Sequence, residues 1–259
     1  MFEELYAPLP DRAAYLERIG LKDEAMPLNA ETLHRLMYAH LTQVPFENLE
    51  VFEQHKTPDL AVEALFDKIV RRHRGGYCFE QNGLFCALLE ALGFSCYPVI
   101  GRVIRGPGYI PNPSHRGTVV TLPEGKYYCD VGFGGSASAY PVPLSGEKTP
   151  DGFYIVYEGP NCVICRDAAD GETERTIMFS ENPAYAVDFI PQNFHMAQWE
   201  ESLFRMMPVL NIRTENGACA IMGDMLRVHE NGVLTETKLE TREAFLEALK
   251  THFGIVLDA

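Results

Sequence analysis

Cys78 follows directly on Gly75-Gly76-Tyr77 and opens the run CFEQNGLFCALLEAL, which has the make-up of a buried helix. The two glycines let the backbone turn tightly, and the free N–H groups at a helix start favour a thiolate there. A free thiol has a pKa of about 8.5 and is only a few per cent ionised at neutral pH. Helix ends and imidazolium neighbours move a thiol toward its nucleophilic form, so Cys78 is a candidate nucleophile. Cys86, Cys96 and Cys219 have no comparable setting and read as small buried hydrophobes. His115 follows the proline-rich IPNPS loop and opens the strand candidate RGTVVTL, and Asp130 lies in KYYCDV. Taken singly, His115 is an ordinary satisfied histidine and Asp130 a turn residue. Pro-Glu-Gly between the two strands predicts a hairpin, which sets the start of one beside the end of the other. A carboxylate beside an imidazole fixes its tautomer and stabilises the imidazolium. A thiol, an imidazole and a carboxylate so placed point to an activated cysteine nucleophile.

These three side chains need helices on one side and strands on the other. The first 93 residues read as helical. Asn29 caps AETLHRLMYAHL, where Leu33, Leu36, Met37 and Leu41 recur at helical spacing. Asp59 precedes LAVEALFDKIV with its Leu65, Phe66 and Ile69 stripe, and a third helix runs from Cys78 to Leu92, stopped by Gly93. Pro45 ends the first helix, and VPFENLEVF reads as a connection. After Gly93 come short strands: CYPVIGRVIR, RGTVVTL, KYYCDV, GFYIVYE, NCVICR and ERTIMF, a sheet or small barrel. From Pro191 a helix (QNFHMAQWEES) is followed by VLNIRT, ACAIMG, MLRVHE and VLTETK, an Asn231-Gly232 hairpin turn, and a last helix, TREAFLEALKTHF. The predicted class is α+β in three lobes: 1–93, 94–190 and 191–259.

Composition narrows the function further. The chain has 259 residues, 46% hydrophobic and 22% charged, as expected of a soluble globular protein. Its formal net charge of −14 argues against a nucleic-acid or anionic-membrane surface. No run is long and apolar enough for a membrane span, and the start lacks a secretory signal, so a cytoplasmic location is expected. The seven cysteines form an odd set and read as reduced thiols. Cys162 and Cys165 make a single C-x-x-C within an alternating strand, so no metal site is expected.

RGGYCFEQN, the PFENL segment from Pro45 to Leu49 and DVGFGG from Asp130 to Gly135 resemble, in order and spacing, three signature segments of the arylamine N-acetyltransferases. The resemblance implies an N-terminal helical bundle, a central β-barrel and a C-terminal α/β lid around a cysteine-proteinase-like catalytic core. It implies ping-pong acetyl transfer from acetyl-CoA, the co-substrate, to an aromatic amine or hydrazine, as in xenobiotic metabolism. Cys78 is then the nucleophile, His115 the base and Asp130 its orienter, with the Cys78 backbone N–H as first candidate for holding the oxyanion. Arg74 and Glu47 resemble a structural ion pair tying PFEN to the nucleophile turn. Phe46 and Phe133, joined by Val103 and Phe204, resemble the lining of an acceptor pocket, and Gly134 and Ser136 lie where coenzyme A would approach. Each of the four pocket residues has plain core packing as its alternative. GFGGSAS is not a phosphate loop, because no G-x-x-x-x-G-K-[ST] pattern is present. Arg71-Arg72-His73 reads as a solvated helix end.

The chain departs from the family pattern at Arg116-Gly117-Thr118, where apolar residues are usual, at Cys129, and along the 105–114 loop. Three alternatives stay open: a coenzyme-A-independent, macrolactam-forming amide synthase of the same fold, a papain- or transglutaminase-like hydrolase, and a non-catalytic binding module. PFEN and DVGFGG argue against the hydrolase, and an intact triad argues against the binding module.

Overall fold

A computed structural model describes residues 2–106, 111–135, 137–168 and 171–257. Asp11 and Asn29 cap the first two helices, α1 (Arg12–Arg18) and α2 (Ala30–Gln43), each side chain accepting a backbone N–H three residues on. After Pro45 the chain forms a two-residue strand, β1 (Phe46–Glu47), then α3 (Leu49–Gln54), α4 (Val62–Phe66), a π-helical turn at Asp67–Arg71, and α5 (Cys78–Ala91). The expected stripes are buried together: Leu33, Leu36 and Met37 of α2 pack in one core with Leu65, Phe66 and Ile69 and with Phe85 and Leu88 of α5. Helix α5 is enclosed from Cys78 to Leu89. Buried on every side, with its polar Glu80, Gln81 and Asn82 satisfied internally, it runs through the centre of the molecule rather than along its surface.

Two features differ from the expected helical lobe. PFEN is not a plain connection, because β1 pairs with a strand near the far end of the chain, Phe46 opposite Asn211 and Glu47 opposite Leu210. Helix α4 is also shorter than the helix expected over LAVEALFDKIV, widening into the π turn. That turn carries Lys68 inward to bind Glu50 and Glu80, both at 2.7 Å.

Seven strands follow: β2 (Ser95–Val103), β3 (His115–Leu122), β4 (Gly125–Cys129), β5 (Val142–Pro143), β6 (Phe153–Glu158), β7 (Asn161–Asp167) and β8 (Thr173–Phe179). They form one antiparallel sheet in the order β5-β4-β3-β2-β8-β7-β6. Its edge strands β5 and β6 lie against each other, so the sheet is nearly closed around Val99, Val119, Tyr128, Ile155 and Ile177. Two helices come next, α6 (Phe189–Gln198) and α7 (Leu203–Met206). Helix α6 begins before Pro191 rather than after it, because a proline in the first turn loses no helical hydrogen bond.

The chain ends in a meander, β9 (Val209–Thr214), β10 (Gly217–Met222), β11 (Met225–Glu230) and β12 (Val233–Lys238), and then α8 (Arg242–Phe253). With β1 these strands make a five-stranded sheet, β1-β9-β10-β11-β12. Phe245, Leu249 and Phe253 of α8 cover Leu210, Ile221 and Leu226. The class is α+β. Among the described residues no helix is long and apolar enough to cross a membrane.

Candidate active site

The turn before α5 is shaped by contacts only glycine permits. A side chain at Gly75 would meet the Pro45 carbonyl oxygen at 1.9 Å, and one at Gly76 would meet Glu80 at 2.9 Å. With neither present, the turn lies directly against PFEN. The Glu47 N–H donates to the Gly76 carbonyl at 3.0 Å, and Gln81 Nε2 donates to the Pro45 and Gly76 carbonyls at 3.0 and 2.6 Å. Arg74 closes the junction with two bonds to Glu47 Oε1, at 2.6 Å from Nη2 and 3.1 Å from Nε. Glu47 is fully buried. Removing one partner of a buried pair leaves the other charge uncompensated, which costs about 3–5 kcal/mol. Arg74→Met should therefore lower the unfolding free energy by roughly that amount. Urea titration of both proteins measures this, and an unchanged midpoint would show that the pair contributes nothing net.

His115 opens β3 and Asp130 directly follows β4, and the β3–β4 hairpin carries both to the start of α5. His115 Nε2 lies 2.6 Å from Asp130 Oδ2. The same carboxylate oxygen accepts the Tyr128 hydroxyl at 3.0 Å. Oδ1 accepts Asn82 Nδ2 at 2.8 Å and the Gly132 N–H at 2.9 Å. Burial alone would push Asp130 up, but His115 and these donors together hold it below the usual carboxylate range. Burial would likewise lower His115. The charge and hydrogen bond of Asp130 outweigh it and, with a smaller contribution from a hydrogen bond to the Cys78 side chain, push the imidazole up to about 10. With Nε2 engaged by Asp130, Nδ1 is the nitrogen left for Cys78. The Cys78 sulfur also lies 3.7 Å from the Ser114 carbonyl oxygen. Helix and hairpin meet closely because position 132 is glycine: a Cβ there would sit 2.8 Å from the Cys78 Cα.

Cys78 and His115 face a cleft of about 200 Å³ that opens to solvent. Phe46, Val103, Phe133 and Phe204 all line it. Phe133 meets the His115 ring edge-on, with centroids 5.6 Å apart, and Phe46 lies 5.8 Å from Phe204. Gly134 does not border this cleft. It sits behind Asn211, which does, and a Cβ at Gly134 would approach Asn211 Nδ2 to 2.6 Å. Ser136 lies outside the described residues.

The sequence model of a family described as N-acetyltransferase matches residues 29–259. The curated arylamine N-acetyltransferase of Mycolicibacterium smegmatis is 30% identical, the match covering 95% of this chain and 92% of that protein. The chain belongs to the arylamine N-acetyltransferase family. The arylamine N-acetyltransferase of Escherichia coli strain K12 is 32% identical over 94% of this chain and 88% of its own length. Among solved structures, the Mycobacterium marinum arylamine N-acetyltransferase in complex with CoA superposes with a TM-score of 0.86 at 30% identity, covering 95% of this chain and 93% of that one. As a member of this family the protein is an enzyme, an acyltransferase.

Sequence reasoning overlooked two residues that hold this acetyltransferase's Asp130. Asn82 is fully buried one turn after Cys78, so α5 presents nucleophile and amide on one face. Its Nδ2 binds Asp130 and the Arg116 carbonyl (2.5 Å), and its Oδ1 takes the Val131 N–H at 2.9 Å. The signal was the four-residue step from Cys78 to Asn82 in CFEQN. Tyr128 was hidden within an apolar strand pattern. Arg105 and Asn211, the cleft's polar groups outside the triad region, lie in segments without a legible motif.

Proposed function

We propose that the enzyme transfers an acetyl group from acetyl-CoA to an arylamine, arylhydrazine or related amine by a ping-pong reaction through an acyl-cysteine at Cys78. The observation that carries this reading is the 2.6 Å contact of His115 with Asp130 beside a cysteine at a helix start, at the floor of an aromatic cleft. Cys78 attacks the thioester carbonyl as a thiolate, with the proton held on His115. The tetrahedral oxyanion forms against the Cys78 backbone N–H, one of the groups at a helix start that have no intrahelical acceptor. Its collapse expels coenzyme A, which takes the proton. The amine then attacks the acyl-cysteine, His115 removes the amine proton, and the product amide leaves as the thiolate reforms.

Phe46, Val103, Phe133 and Phe204 supply the flat apolar walls that an aromatic acceptor requires. Coenzyme A would enter past Gly134 and Ser136. The steps use thiol, imidazole and carboxylate, and no metal takes part in them. The lobes 1–93, 94–190 and 191–259 then act as nucleophile carrier, His–Asp carrier and cleft wall of a cysteine-proteinase-like core in a cytoplasmic enzyme.

The direct test mixes the intact protein with acetyl-CoA alone and maps adducts by peptide mass spectrometry. An acetyl group on Cys78, released when a hydrazine is added, supports the proposal. Absence of an adduct with any of several acyl-CoAs would refute this donor and favour amide synthesis without coenzyme A.

A further inference from the structure

A second cluster of thiols lies two turns along α5 from the nucleophile, about 12 Å by helix rise. Cys86 on α5 and Cys96 on β2 place their sulfurs 3.8 Å apart. Glu90 follows Cys86 by one helical turn, and its carboxylate and the two sulfurs all lie within 4.8 Å of one another. Two thiolates bound at about 2.3 Å to a tetrahedral zinc stand about 3.8 Å apart, whereas a disulfide needs about 2.05 Å. The observed separation is that of two thiols in hydrogen-bonding contact, and it equals the edge two zinc-bound thiolates would span, so an ion could bind without moving the sulfurs apart.

An independent observation comes from Arg116, one of this chain's departures from the family pattern. Its side chain is only 7% exposed and stacks on the Phe189 ring at 4.6 Å, and its Nε has no hydrogen-bond acceptor. With Cys86 and Glu90, Arg116 borders a cavity of about 160 Å³. A buried guanidinium without full partners is costly, and calls for a nearby negative charge.

We propose that Cys86, Cys96 and Glu90 form a binding site for a soft divalent metal ion of the zinc class, separate from the catalytic centre. Binding joins one ion to two sulfurs and one carboxylate oxygen and releases the two thiol protons. Two thiolates and a carboxylate around a dication leave a net charge of −1, which Arg116 neutralises. Thiolates select zinc-class ions over magnesium or calcium. Glu90 is exposed, so the ion enters from solvent, and the coordination position facing the cavity is left for water. The bound ion would clamp the C-terminal half of the nucleophile helix to β2.

The test uses the full chain carrying Cys78→Ala, so that the catalytic thiol cannot compete. Cadmium is titrated while the thiolate-to-metal ultraviolet absorption is followed, and zinc is titrated against a chromophoric chelator. One ion per chain is expected, with affinity at least about 10-fold lower in Cys86→Ser, Cys96→Ser and Glu90→Gln. In the protein with these three residues intact, cadmium should also slow alkylation of Cys86 and Cys96 but not of Cys219. This readout still decides if a serine variant fails to fold. Absence of binding, or binding unchanged in both serine variants with no protection of the pair, overturns the proposal.

Discussion

On the proposed acyl-cysteine route, Cys78→Ala should abolish acetyl transfer to an amine, lowering kcat/KM by about 10⁴-fold or more while the protein stays folded and still binds coenzyme A. The size follows from the covalent route. Without the sulfur there is no acyl intermediate, and direct attack of amine on thioester keeps only the approximation and oxyanion contacts that the cleft still supplies. Folding should survive because the change removes one sulfur from a site already open to the cleft, and none of the hydrogen bonds that hold the turn uses it. Steady-state release of coenzyme A, with circular dichroism as the folding control, measures the outcome. Retention of more than about one per cent of activity would mean that another group carries the acetyl.

Asp130→Asn should cost about 10³–10⁴-fold in kcat/KM, because an amide neither enforces the required tautomer nor stabilises the imidazolium. This substitution also has a pH signature. In the wild type His115 should titrate near 10, observable from its ring carbon protons by NMR. In the variant it should fall well below the wild-type value, since burial is then opposed only by the smaller contribution of Cys78. Stability follows the same groups. The raised His115 contributes fully below about pH 6.5, its unfolded value, and loses that contribution as the pH rises through about 10. The depressed Asp130 contributes above about pH 4 and loses it as the pH falls through its lowered folded value. The pair is therefore most stabilising between about pH 4 and 6.5, and the variant's stability profile should be flatter across both flanks. A wild-type His115 titrating near 6.5 would contradict the charged pairing.

What the sequence made legible divides along physical lines. Local patterns were readable: the α2 stripe, the Asn29 cap, the strands Val209–Thr214 and Met225–Glu230, and the Asn231-Gly232 turn, whose residues have φ of 50° and 81°. The proximity of His115 to Asp130 followed from a hairpin, a contact between near neighbours in the chain. Contacts between distant segments were not readable. Nothing in PFEN announces a strand, because β1 owes its conformation to β9 rather than to its own residues. Asn48 illustrates the same limit: its amide binds the Phe204 and Met207 carbonyls and the Val209 N–H, all far along the chain. Asn82 was within reach, since a helix beginning at Cys78 puts it on the nucleophile's face. The irregular 105–114 segment offered no period to read.

The pairing of β1 with β9 also sets an order of events during synthesis. The ribosome makes the thiol and the turn beneath it first, and the strand that fastens the opposite rim of the cleft emerges only after the whole seven-stranded sheet. Until then the nascent polypeptide carries Cys78 beside an unfinished pocket, so the cleft can close only once β9 has been made and has found β1.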